Sequence, residues 1–417
     1  MKKELLSFVL ACSLVLGCAA PVFAADAAAD EGDNAAAAYT IVPNMEFTGN
    51  TLTLSLEQAV KRMTTSGAGF ESAVLKKEAS DAQAKGQEEL WMTFVNTSNA
   101  MSGLPRGVLP VTTINPMKTL NAKIVKMTRP FLISQSAIQY EIDINILEHE
   151  TTQVYYQVLQ AEEALRIAEE NLQNQKSILT NTEKKLEQGM VSKMDLLTAE
   201  SSVQDAEVKV ASAGSALKAV KMSFNQKMNL PLMQDVKLTG TLKMANAPSI
   251  VLKSAIEAAL STRNELNQLQ YQLDKAQLEL DDKTFVSRYS AEYLTAELAI
   301  KQVEKGLKDT KQLLELDVRS RYMNIQNVAN EIAALNKTVS NAKEGYRLAE
   351  LSYNAGMNTL VDVHSAQLAS FQAQLGLAAK TLEYNLAIND FKMAIGYGTG
   401  SSGSNSTTTT TTTTASS

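Results

Sequence analysis

The sequence predicts a mainly all-α protein of long, antiparallel coiled-coil helices. It is internally duplicated and has room for at most one short β-hairpin per protomer. Three observations carry this expectation. Helix breakers are sparse, with eight prolines and nineteen glycines in 417 residues, while Ala, Leu, Gln, Glu and Lys are abundant. Apolar residues recur every seven positions over long runs. The second half of the chain repeats the first.

The chain opens as an exported protein does. Lys2 and Lys3 precede a nearly apolar run from Leu5 to Gly17, and Val22-Phe23-Ala24 offers a small-x-small cleavage pattern. Two readings of this segment stay open. A cut after Ala24 makes 1–24 a signal peptide and needs no unusual residue, which favours it. Val15-Leu16-Gly17-Cys18 is close to a lipoprotein box and makes Cys18 a candidate lipidation site. Both cysteines, Cys12 and Cys18, lie here, so the mature protein has no disulfide. Residues 25–53, rich in Ala, Asp and Gly at their start, read as a flexible spacer. Residues 398–417 are Gly, Ser and Thr and read as a disordered tail.

Between them lies the repeat. A shift of 167 brings Tyr155 onto Tyr322, Gly189 onto Gly356, Asp195 onto Asp362 and Phe224 onto Phe391. A shift of 196 brings Leu56 onto Leu252 and Ala59 onto Ala255. The two shifts differ by 29, so the first copy (54–230) carries an insert at about 90–129 that the second copy (251–397) lacks. Residues 231–250 read as a linker. One heptad seam runs Val158, Leu165, Leu172, Leu179, Leu186; a second runs Leu196, Val203, Val210, Leu217, Phe224 and is copied as Val363, Ser370, Leu377, Tyr384, Phe391. The first helix, from about Phe131 to Gln188, would be about 85 Å long, and its partner from about Ser192 to Met228 about 55 Å. Rods of this length pair with one another rather than fold into one globule.

The candidate functional residues lie in the two turns that join paired helices: Gly189, Met190, Val191, Ser192 and Asp195 in the first copy, and Gly356, Met357, Asn358, Thr359 and Asp362 in the second. Each glycine can take the left-handed conformation that ends a helix. Ser192 and Thr359 can cap the next helix, and the aspartate three residues on can reach back to the cap amide. Capping alone accounts for these residues. It does not account for Met190 and Met357, flexible apolar side chains at the ends of rods, which point to a docking surface.

The duplicated Gly-x-x-Ser/Thr-x-x-Asp-x-x-x-Ala turn, read as Gly189/Ser192/Asp195/Ala199 and Gly356/Thr359/Asp362/Ala366, resembles the TolC family of outer-membrane efflux proteins. Leu54-Ser55-Leu56-Glu57-Gln58-Ala59 resembles the family's first helix, and Arg129-Pro130-Phe131-Leu132 its strand-to-helix junction. The resemblance covers roughly 54–397. It implies a homotrimer whose helices close an α-barrel across the periplasm. It also implies turn tips that dock onto a membrane fusion (adaptor) protein, and through it an inner-membrane pump. The role implied is a passive duct for efflux or type I secretion, located in the outer membrane and periplasm of the cell envelope, with no enzyme activity and no cofactor.

One departure is expected. Family members carry a strand hairpin in each half, whereas here only the first half has extra residues. Those are interrupted by Pro105, Pro110 and Pro116 and carry Lys123, Lys126 and Arg129 at every third position. The membrane barrel is therefore expected to be reduced or absent. His149 and His364, the only histidines, are too few for a metal site; His149 is expected on an exposed helix face, and His364 beside solvent or a partner tip. Net charge is −6 without a basic block, which leaves no footprint for nucleic acid. The alternative function is a structural coiled-coil protein of the envelope without transport activity.

Overall fold

The computed structural model describes residues 47–103, 115–283 and 286–396. The signal segment, Cys18, most of the spacer, Pro105, Pro110 and the Thr-rich tail lie outside the described residues. Among those described there are two strands, β1 (Thr48–Leu54) and β2 (Gln234–Leu238), and eight α-helices. The helices are α1 (Leu56–Ser66), α2 (Phe70–Ser102), α3 (Leu120–Glu187), α4 (Lys193–Lys227), α5 (Leu252–Thr262), α6 (Asn264–Asp282), α7 (Ala291–Asn354) and α8 (Leu360–Ile395).

The duplication is visible in helix boundaries. Moving α3 and α4 by 167 lands their C-terminal and N-terminal ends on those of α7 and α8, and moving α1 by 196 lands it on α5. The cores repeat as well. Ala59, Tyr155, Val158 and Phe224 pack in one cluster, and their counterparts Ala255, Tyr322, Ile325 and Phe391 in another. Each cluster forms where a short helix (α1 or α5) lies against the middle of a long one and the end of its partner.

Among the described residues, the extra length of the first copy is helical. With 33 residues, α2 is longer than α6 with 19, and α3 with 68 is longer than α7 with 64. At 1.5 Å per residue α3 is about 100 Å long, longer than expected because it starts at Leu120 rather than Phe131. The sequence Arg129–Leu132 is thus inside a helix and not at a strand-to-helix junction. Pro130 is exposed and forfeits one backbone hydrogen bond. Its neighbours hold the turn in place: Arg129 pairs with Glu88 at 2.8 Å, Thr128 bonds the Tyr271 hydroxyl at 2.6 Å, and Phe131 stacks on the Tyr271 ring at 3.9 Å.

Two segments expected to be irregular contribute strands. Residues 48–53 of the spacer belong to β1, and residues 234–238 of the linker are β2. The two pair in parallel, with Leu54 opposite Leu238, and bury Leu54, Val236 and Leu238 on the first core. Neither strand is persuasive alone; each is completed by a partner about 184 residues away. Asn225 braces the bend between α4 and β2 by donating to the carbonyls of Leu232 and Gln234 at 2.9 and 2.8 Å.

The first heptad seam is shifted. Leu165, Leu172, Leu179 and Leu186 are half-buried, while Ala161, Ala168, Gln175 and Thr182 are buried. Besides α4, α3 packs on the other hairpin, where Thr182 meets Tyr353 on α7 and Asn171 meets Gln367 on α8. The copied seam on α8 is buried at Val363, Ser370, Tyr384 and Phe391.

Candidate functional site: the paired turns

The α3–α4 and α7–α8 turns have one geometry. In the first, Gly189 takes φ +70° and in the second Gly356 takes φ +76°. A Cβ at either position would meet no atom within 4 Å, so the conformation and not space calls for glycine. Each helix ends with crossed backbone bonds. The Gly189 N–H donates to the Leu186 carbonyl at 2.9 Å and the Met190 N–H to the Lys185 carbonyl at 2.8 Å. In the second turn, Gly356 donates to Tyr353 at 3.1 Å and Met357 to Ser352 at 2.9 Å.

The next helix starts with a reciprocal cap. The Asp195 N–H donates to Ser192 Oγ at 3.2 Å, and the Ser192 N–H and hydroxyl donate to Asp195 Oδ2 at 2.9 and 2.8 Å. Thr359 and Asp362 repeat this at 3.3, 3.0 and 2.7 Å. The Thr359 hydroxyl and amide hold the Asp362 carboxyl below the usual carboxylate range.

With the cap hydroxyls and carboxylates engaged within the turns, the tips offer apolar side chains to their surroundings. Met190 is 63 % exposed and Met357 is 75 % exposed. Val191 is half-buried and Asn358 exposed. Sequence reasoning missed three neighbours, Met194, Leu197 and Val361, all exposed in the first turns of α4 and α8. Their signal was position: an apolar residue on the first helical turn of a two-residue connection has no opposite wall.

The two turns are held together at one end of the molecule. Lys185 Nζ lies 3.6 Å above the Tyr353 ring and donates to the Tyr353 carbonyl at 2.6 Å, meeting the negative end of α7. Burial lowers the Lys185 pKa. Ile178, Ala199, Tyr353, Leu360 and Val363 close a small core beneath. Farther along, Gln367 donates to the Asn171 carbonyl and side-chain oxygen at 3.2 and 3.1 Å.

Both histidines differ from expectation. His149 is half-buried between hairpins, its Nε2 2.6 Å from Asp390 Oδ1. His364 is half-buried one turn above the tip, 3.3 Å from Ser202 Oγ. Desolvation there holds its pKa below 6.5. Each faces a helix more than 160 positions away, which no local pattern announces.

The family model described as outer membrane efflux protein matches residues 284–397, the span of α7, the second turn and α8. The second helical hairpin matches an outer membrane efflux protein domain. That family consists of efflux channels and not enzymes. Across most of its length the chain has the fold of TolC-family channels. It is similar to CusC with a TM-score of 0.63 and 14% identity, covering 85% of this chain and 96% of that one. The open outer membrane channel MtrE of Neisseria gonorrhoeae gives 0.60 and 15%, covering 82% and 89%. The Campylobacter jejuni outer membrane channel CmeC gives 0.59 and 13%, covering 92% and 96%. No curated protein sequence matches the chain.

Proposed function

We propose that this chain is the exported duct component of an efflux or type I secretion system, a homotrimeric α-barrel of the periplasm and outer membrane. Its paired turns dock onto the hairpin tips of a periplasmic adaptor protein, and through it onto an inner-membrane pump. The duct is a passive conduit, and energy comes from the pump. One observation carries this reading: two turns of the same geometry, locked side by side, present Met190 and Met357 outward. The cap groups Ser192, Asp195, Thr359 and Asp362 are engaged within the turns, so the exposed apolar side chains are available to a partner.

Two measurements test it. Met190→Cys and Met357→Cys should cross-link to the adaptor in cells, whereas Leu313→Cys, exposed far along α7, should not. Electron microscopy of the purified protein should show a hollow three-fold particle. A filled rod would sink the duct and leave the structural coiled-coil reading. A hollow particle that never cross-links would sink only the docking assignment.

A further inference from the structure

Both cysteines of the chain, Cys12 and Cys18, lie in its opening segment. From residue 19 onward there is no thiol, and the groups most easily oxidised by two electrons are the methionine thioethers. The structure sorts these sharply. Met63 and Met228 are sealed in the first core, at 1 % and 0 % exposure. At the other extreme stand the turns. Met190, Met194 and Met357, at 63 %, 69 % and 75 %, are the three most exposed methionines among the described residues. Met194 is the second residue of α4, so all three belong to the tips.

The turns hold these side chains out without depending on them. The Met190 and Met357 amides donate to the carbonyls of Lys185 and Ser352 at 2.8 and 2.9 Å, so the backbone fixes each tip and the side chain can change while the fold is kept. A hydroperoxide oxidises a thioether in one balanced step. A sulfur lone pair attacks one peroxide oxygen, and the S–O bond forms as the O–O bond breaks. The proton of the transferred hydroxyl passes to the departing hydroxide, giving sulfoxide and water. Sulfur loses two electrons and the peroxide gains them. The apolar side chain becomes a polar one with a new acceptor oxygen. The two cap hydroxyls already donate to Asp195 and Asp362, so neither is free for that oxygen. Water satisfies it while the tip is bare. An apolar partner that covers the tip strips this water and supplies nothing in its place.

We infer that Met190, Met194 and Met357 form an oxidation-sensitive modification site, at which a hydroperoxide turns the apolar tips polar and releases the partner docked there. The release rests on the docking reading above; the modification and the loss of apolar character do not. Reduction by a dithiol, through methionine sulfoxide reductases, returns the thioether and water, so the switch is reversible.

The test treats the purified exported chain with hydrogen peroxide and follows it by peptide mass spectrometry and by retention on a phenyl column. The expected result is oxidation of the three tip methionines while Met63 and Met228 stay unmodified, with earlier elution and unchanged far-ultraviolet circular dichroism. The two epimer-specific methionine sulfoxide reductases with dithiothreitol should restore the original elution. The variant Met190→Leu/Met194→Leu/Met357→Leu keeps the apolar volume and should hold its retention at the same dose, which separates the tips from Met92 and Met323, exposed elsewhere. Release is read in cells with the photo-cross-linking residue p-benzoylphenylalanine in place of Asn358, exposed in the second turn. Peroxide should weaken the adaptor cross-link about tenfold per covered sulfoxide in the parent and leave the leucine variant unchanged. Tip methionines oxidised no faster than Met63 and Met228 would overturn the inference. So would an oxidised chain that elutes like the untreated one, or a leucine variant that loses as much retention as the parent. A parent that never cross-links would sink the docking reading, whereas a cross-link undiminished by peroxide would sink the release alone.

Discussion

Two glycines on the same helical hairpin should respond to one substitution with opposite signs. Gly356 has φ +76° and Gly376 lies inside α8, and an added Cβ would meet nothing within 4 Å at either. Steric clash is thereby removed from the comparison. At Gly356, alanine must hold the left-handed region, at roughly 1–2 kcal/mol. The narrower freedom of the unfolded chain returns about 0.4–1 kcal/mol. The net is a loss of about 1 kcal/mol. At Gly376 the backbone is already helical, and alanine should gain about 1 kcal/mol. Guanidinium unfolding at constant m-value reads both. Hydrogen exchange localises the first: the Met357 amide, bonded to the Ser352 carbonyl at 2.9 Å, should exchange about fivefold faster in Gly356→Ala, since 1.4 kcal/mol corresponds to tenfold. If both substitutions stabilise, the assignment of that glycine to conformation rather than to chance is refuted.

Three further outcomes are expected. The Asp362 carboxyl titrates below its ordinary 3.8 in the folded protein. Its cap is therefore intact above that value and is lost as pH falls through the lowered one, and Asp362→Asn should show the same faster amide exchange at Thr359 already at neutral pH. His364 is held neutral by burial below its usual 6.5, so stability present above pH 6.5 should decline as pH falls through the depressed value. His364→Asn should flatten that decline in thermal unfolding between pH 7 and 5. Phe391 and Phe224 are the paired anchors of the duplicated cores, at 0 % and 1 % exposure. Truncating either to alanine should cost about 3–5 kcal/mol, measured by denaturant unfolding.

Local arithmetic along the chain was enough for most of the architecture. The 167-residue shift predicted helix ends that the structure reproduces at α3/α7 and α4/α8. The Gly, Ser/Thr and Asp spacing predicted both turns, because a C-cap and a capping box involve residues at most a few positions apart. Where prediction went astray, the deciding partner was distant. β1 read as spacer because its ladder is completed by Gln234–Leu238. The helix passes through Pro130 because Tyr271 and Glu88 hold the flanking residues. The leucine seam of α3 is only half-buried because α3 also packs on the other hairpin, where Thr182 meets Tyr353 and Asn171 meets Gln367.

The same division holds for the site. Heptads, caps and the duplicated turn are written in short-range spacing, so the residues themselves announce a pair of rods bent at glycines. That the two turns lie side by side, joined by Lys185 and Tyr353, follows only from packing of the whole hairpins. So does the burial of His149 and His364. Contacts across 160 residues or more carry no periodic trace, since their energy arises only once the intervening chain has folded.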